Sequence, residues 1–269
     1  MARGGGKVAG NAVTRLGRGG PFVLWHTNED KITDMAVLSV PSWVIAGTCA
    51  ENLRFLEDKK EVQGVELLFF LYNDEVKAQL DAEWEAILRF RERFIFTAHL
   101  PELLLPAHDG LVARLTPLVR HCIVHPSVDN PAAQARLLSE WTEGYGATFL
   151  VENTKAGLLE ALLPHLETGV GLCMDTGHLL LIGQNPAVFF TKYRDRIGEI
   201  HLHGVDLKQA AFDGRLADHR RLRGDEDWLF ELIPSLEDYP GIINLELFSW
   251  EDAQASIDTF IHCKMLAHV

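Results

Sequence analysis

From Pro41 onward, apolar residues fall in short runs, each followed by a polar turn and then by a longer stretch with apolar positions at helical spacing. The short runs predict strands at Trp43–Ala46, Val65–Leu71, Phe94–His99, Cys122–His125, Thr148–Glu152, Val170–Asp175, Glu199–His203 and Ile242–Leu247. The longer stretches predict helices at Ala50–Asp58, Lys77–Arg93, Gly110–Leu118, Pro131–Tyr145, Lys155–Leu163, Pro186–Tyr193, Trp228–Leu236 and Asp252–Leu266. Strand and helix alternate eight times, which is the arithmetic of an α/β protein of the (β/α)8 TIM-barrel class. A doubly wound open sheet ordinarily carries a glycine fingerprint after its first strand, and Ala46-Gly47-Thr48 is no such fingerprint.

Residues 1–35 stand outside this alternation. Their glycines at positions 4, 5, 6, 10, 17, 19 and 20, without apolar periodicity, predict a disordered leader ahead of a barrel domain over residues 36–269, with Met35 as a candidate start. Gly4-Gly5-Gly6-Lys7 follows no strand and lacks the spacing of a phosphate loop.

Composition narrows the class further. A chain of 269 residues with 47% hydrophobic content has the material for one large core, and its net charge of −13 is spread along the sequence. That acidity disfavours nucleic acid as a partner, because duplex DNA is held largely by cationic side chains. Cys49, Cys122, Cys173 and Cys263 are scattered without a C-x-x-C pair and read as reduced core residues. The run Pro21–Trp25 is too short for a signal peptide, and Val65–Tyr72 is far short of a membrane span. A cytoplasmic protein with no membrane partner is the expectation, and its oligomeric state is left open.

The chemistry lies at the strand ends, where a TIM barrel keeps its active site. The third to eighth predicted strands end in His99, His125, Glu152, Asp175 with His178 just beyond, His201 with His203, and Glu246. Side chains two apart share a face, so His201 and His203 point the same way. If apolar residues line the barrel interior, the imidazoles cap its last layer. One such histidine is ordinarily a hydrogen-bonded structural residue. Six consecutive strand ends of this kind are instead the donor set of a metal centre, since buried carboxylates and imidazoles each need a partner. Imidazole and carboxylate without thiolate suit Zn²⁺, Mn²⁺ or Fe²⁺ over Ca²⁺. The donors outnumber the needs of one ion, which implies two or three divalent ions with Glu152 as a bridge.

The segments Thr97-Ala-His99-Leu-Pro101, Val124-His125-Pro126, Val151-Glu152-Asn153-Thr154, Met174-Asp175-Thr176-Gly177-His178, Ile200-His201-Leu202-His203 and Asn244-Leu245-Glu246 resemble, in order, the metal-binding segments of the endonuclease IV (AP endonuclease family 2) and xylose-isomerase-like TIM-barrel superfamily. The resemblance implies one ion on His99, His125 and Glu152, and a second on Glu152, Asp175, His201 and Glu246. A third would use His178 with an Asp-x-His motif. The chain departs there, since Ala217-Asp218-His219 has Asp and His adjacent, so His219 transfers more safely than Asp218. A narrower resemblance, carried by Pro41–Thr48, Glu51–Leu56, Val65–Phe70, His99–Pro101 and Asp218–Arg220, is to the cobamide-remodelling phosphodiesterases.

The leading expectation is therefore a metal-dependent phosphodiester hydrolase acting on a small or cofactor-type substrate, in the specific version a corrinoid. Glu152 or Glu246 would orient the attacking water, and His203 and Asp206 would face the substrate. The alternative is a metal-dependent sugar isomerase or epimerase on Glu152, Asp175, His201 and Glu246, in which paired carboxylates move a proton between adjacent carbons. Abasic-site cleavage in DNA is third, prompted by Arg215 and Arg220-Arg221-Leu-Arg223, which also read as a solvated loop beside Asp218, Asp225, Glu226 and Asp227. A non-enzymatic binding module is last, since fold alone does not imply activity.

Overall fold

The computed structural model describes residues 36–210 and 217–267. The leader expected over residues 1–35 lies outside the described residues. Eight parallel strands close into a barrel: β1 (Val37–Pro41), β2 (Gly64–Leu68), β3 (Ile95–His99), β4 (Val119–Val124), β5 (Phe149–Glu152), β6 (Gly171–Asp175), β7 (Ile197–His201) and β8 (Ile242–Asn244). Each strand pairs with the next, and β8 returns to β1 through Leu38 opposite Ile243.

Local chemistry sets the helix ends. The helix Pro131–Tyr145 starts at a proline, with the Asn130 side chain accepting from the Ala133 N–H, and stops at Gly146 in left-handed backbone (φ 72). Thr48 and Glu51 form a reciprocal capping box at the start of Cys49–Leu56.

The first expected strand is misplaced: β1 is Val37–Pro41, and residues 43–46 belong to the loop after it. Trp43 is 57% exposed, and the Val44 and Ile45 N–H groups donate to Asn52 Oδ1 at 2.8 and 3.0 Å instead of to a neighbouring strand. The polar Ser39 in the middle of β1 hides it in the hydropathy pattern, yet Ser39 is buried beside Gly64 of β2.

The main core lies between strands and helices and includes Val40, Val65, Leu67, Phe96, Phe149, Val151, Leu172, Met174, Ile200 and Ile243. The barrel interior is different. Ile123, Leu150 and Cys173 form a small separate apolar cluster there, while Glu66, Thr97, His121, Glu199 and Asn244 are buried polar groups. An apolar lining beneath the imidazoles is thus only part of the picture. The four cysteines are free, with Cys122, Cys173 and Cys263 buried. Among the described residues, no helix is long and apolar enough to cross a membrane.

Candidate metal centre

Glu152 ends β5 and stands at the middle of the strand-end cluster. Its Oε2 lies 3.0 Å from His99 Nε2 and 3.4 Å from His125 Nε2, and its Oε1 lies 3.0 Å from His178 Nδ1. Asp175 ends β6 and uses its two oxygens differently. Oδ1 accepts the His178 N–H at 2.6 Å and caps the helix Thr176–Leu181, while Oδ2 lies 3.1 Å from His203 Nε2 and 4.0 Å from His201 Nδ1. His201 Nδ1 is in turn 3.1 Å from Glu246 Oε2 and 3.7 Å from Glu152 Oε2.

The motif residues between these donors hold them in register. The Asn153 side chain donates to the Asp175 carbonyl and accepts its N–H, both at 2.9 Å, locking the end of β5 to the end of β6. The Thr176 hydroxyl reaches the carbonyls of His201 and His203 and accepts the His203 N–H at 3.1 Å. Gly177 must lack a side chain, because a Cβ there would stand 2.0 Å from His203 Cε1.

Hydrogen bonding fixes which ring nitrogens carry protons. His99 Nδ1 faces the Leu100 carbonyl at 2.9 Å and so carries a proton, which leaves the lone pair of a neutral ring at Nε2, against the Glu152 carboxylate. His203 repeats the pattern, with Nδ1 3.2 Å from the Gly204 carbonyl and Nε2 against Asp175. Lone pair against carboxylate is repulsive unless a proton or a cation lies between. Without metal, protons do the work. Burial lowers the His203 imidazole, but Asp175 and then Asp218 and Glu246 outweigh it and raise it to about 9. Burial raises the Glu152 carboxyl, but His125, His178 and His99 hold it well below the usual carboxylate range. Asp175 and Glu246 are lowered against burial in the same way, chiefly by His178 and His201 respectively. A divalent cation takes the place of such protons at a site of this composition. Donor atoms mutually within 4.8 Å form the sets His99, His125, Glu152; Glu152, Asp175, His201; Asp175, His203, Glu246; His203, Asp218, His219; and, one layer down, Glu66, Glu199, His201. The residues fit more than one divalent ion.

All eight donors expected from the sequence converge here. Asp218, in doubt on spacing, joins them: its Oδ2 is 3.4 Å from His178 Nε2 and its Oδ1 3.5 Å from His203 Nδ1. His219 Nδ1 lies 3.7 Å from Glu246 Oε2. His203, expected to face the substrate, is instead fully buried among the donors and groups with Asp218 and His219. Asp206 is exposed, and its Oδ1 accepts the N–H groups of Lys208 and Gln209. It lines a cavity of about 680 Å³ together with His219, Arg220, Arg221 and Arg223. Arg223 is paired with Asp225 at 3.0 Å, in keeping with a solvated loop, and Arg215 lies outside the described residues. Trp250 packs edge-on against Phe55, 5.6 Å between ring centres, and Trp141 is buried, so both serve packing.

Sequence reasoning missed the layer beneath. Glu66 of β2 and Glu199 of β7 are fully buried inside the barrel. Glu199 Oε2 pairs with His121 Nε2 at 2.5 Å, and its Oε1 accepts from the Thr97 hydroxyl. Burial pushes the Glu66 carboxyl up to about 7, against the pull of His201. Parity was the available signal, since Glu199 lies two residues before His201 and therefore on the same face.

No protein-family model matches the chain. A stretch of 50 residues is 44% identical to inosose dehydratase of Lacticaseibacillus casei, covering 19% of this chain and 16% of that protein. Among solved structures, L-ribulose 3-epimerase superposes with a TM-score of 0.62 at 15% identity, over 87% of this chain and 96% of that one. The IolI protein with a bound zinc atom gives 0.61 at 15% identity, over 86% and 96%. Endonuclease IV from Thermus thermophilus gives 0.58 at 16% identity, over 86% and 99%. The fold is the eight-stranded (β/α)8 barrel that these structures share, as the alternation of strands and helices in the sequence predicts.

Proposed function

We propose that the chain is a metal-dependent enzyme with a centre of two or three divalent ions, Zn²⁺ or Mn²⁺, that hydrolyses phosphodiesters in a small or cofactor-type substrate. The observation that carries this reading is the pair His99 and His125 on Oε2 of Glu152, outside the Glu152, Asp175, His201 and Glu246 set that a one-ion enzyme needs. His99, His125 and Glu152 would hold one ion. Glu152, Asp175, His201 and Glu246 would hold a second, and Asp218 and His219 with His178 or His203 a third. Bound there, such ions supply Lewis acidity toward phosphate oxygens and acidify coordinated water. Glu152 and Glu246 are the candidate catalytic groups: one carboxylate orients the attacking water and takes its proton as the phosphorus–oxygen ester bond breaks. The cavity beside His219 carries Lys208, Arg220 and Arg221 together with Asp206, Glu226 and Asp252, a mixed wall that offers a polar substrate both donors and acceptors.

Sugar isomerisation or epimerisation is the second reading, and the comparisons support it more than they support the first. L-Ribulose 3-epimerase and inosose dehydratase act on sugars or cyclitols by their names, whereas endonuclease IV is the nuclease among these neighbours. Glu152 and Glu246 would then be the acid and base on either side of the substrate carbon.

One panel separates the two. Metal-loaded protein is incubated with bis(p-nitrophenyl) phosphate, a cobamide, an abasic duplex, and ketoses or inososes. Release of p-nitrophenolate or cleavage of the cobamide nucleotide loop supports the hydrolase. Ketose epimerisation or inosose turnover with every diester intact overturns it in favour of the second reading.

A further inference from the structure

Beneath the donor cluster, Glu66 is a carboxylate in an apolar strand, with no exposed surface. A buried charged group of this kind persists only with partners. Asn244 Nδ2 of β8 donates to its Oε2, and the same oxygen lies 3.1 Å from His201 Nε2. Its Oε1 has no hydrogen-bond partner. The carboxylate is thus committed through one oxygen to the ring of His201.

That ring divides its two nitrogens between two floors of the barrel. Nδ1 faces upward to Glu246, Glu152 and Asp175 at 3.1, 3.7 and 4.0 Å, while Nε2 faces down to Glu66. A neutral imidazole that gives its Nδ1 lone pair to a cation must carry its proton on Nε2. Neither ring nitrogen meets hydrogen-bond geometry here, and Glu66 Oε2, 3.1 Å from Nε2, is the carboxylate oxygen placed to accept that proton once the ring turns its Nδ1 to an ion. The barrel's floor therefore decides which nitrogen of His201 is offered to the ion.

We propose that Glu66 is a positioning residue for the central ion: with Asn244 holding it from β8, it fixes the tautomer and plane of His201 and makes that ring a stronger donor. The proposal rests on the reading of Glu152, Asp175, His201 and Glu246 as an ion site. Orienting carboxylates behind a ligating histidine are worth about 10–100-fold in metal affinity.

The test is competitive titration of purified, chelator-stripped protein with Zn²⁺ against a chromophoric chelator, alongside the visible spectrum of the Co²⁺ form. Glu66→Gln keeps the volume and removes the charge, and Glu66→Leu removes the acceptor. Circular dichroism and thermal melts of the stripped proteins check folding, and the isosteric Glu66→Gln carries the test if Glu66→Leu does not fold. The expected result is a loss of about 10–100-fold for one class of ion in Glu66→Gln, with an altered Co²⁺ spectrum. The ion on His99 and His125, where Glu66 reaches His99 through its charge and not through a contact, is expected to weaken by clearly less than the about 10–100-fold lost at the central ion. Folded variants that titrate like wild type overturn the role of Glu66 alone. Equal weakening of every ion overturns it in favour of a general effect on stability. Wild-type protein that takes up no ion overturns the metal reading itself, and this role with it.

Discussion

Asp218 and His219 are neighbours in sequence, yet both reach the same centre, Asp218 3.4 Å from His178 Nε2 and His219 3.7 Å from Glu246 Oε2. They converge because His219 sits in left-handed backbone, with φ of 49°, and it is the only non-glycine residue with positive φ among the described residues. Such a conformation costs a non-glycine residue about 1–3 kcal/mol and persists where the surroundings or a function require it. His219→Gly is expected to leave the thermal stability of the chelated protein unchanged or raised, since glycine adopts this φ freely. The same change is expected to remove one ion or weaken it. Parallel melts and metal titrations check this, and a fall in thermal stability with metal binding unchanged would mark His219 as purely structural.

Glu152→Gln tests the bridge. Both of its oxygens face imidazoles, so losing the charge disturbs ions on two sides. With several kcal/mol of transition-state stabilisation at stake, turnover is expected to fall on the order of 1,000-fold or more. The measurement is kcat together with metal content. Unchanged metal content with normal kcat would exclude Glu152 from the centre.

In the metal-free protein, stability is expected to fall as pH rises. His203 has its pKa raised to about 9 by Asp175, against burial. A group bound to its proton more tightly when folded contributes stability that is complete below the unfolded value, about 6.5, and is lost as pH climbs through about 9. Ions displace those protons, so Zn²⁺ affinity is expected to rise over the same window. Urea titrations of stripped protein at about pH 6 and about pH 9, on either side of that window, check the first part. A midpoint that does not fall would contradict it.

Gly177→Ala is expected to expel His203, because the new Cβ would overlap its ring and also stand 2.8 Å from Asp218 Oδ1. Overpacking of this kind costs about 1–3 kcal/mol. Melts of the stripped protein and its Co²⁺ spectrum should both change. A variant indistinguishable from wild type would show that His203 moves without consequence.

The donors were legible because each polar residue closes an apolar strand, and Glu152, Asp175 and His201 end β5, β6 and β7. The first strand was not, since Ser39 turns inward into a polar interior that hydropathy does not anticipate. Asp218 was discounted because its place depends on the backbone of His219, which spacing cannot show. Glu66 stands in an otherwise apolar run, and only the closed barrel brings it under His201. Likeness to known folds adds the architecture; the surplus of donors around Glu152 is what the proposed multi-ion reading rests on.

That surplus is measured directly by elemental analysis of protein purified without chelator. The account predicts two or three equivalents of zinc or manganese per chain, lowered by one in His99→Ala, with the ion on Asp175, His201 and Glu246 among those retained. A single equivalent, unchanged by His99→Ala, would contradict it and leave a one-ion isomerase or epimerase.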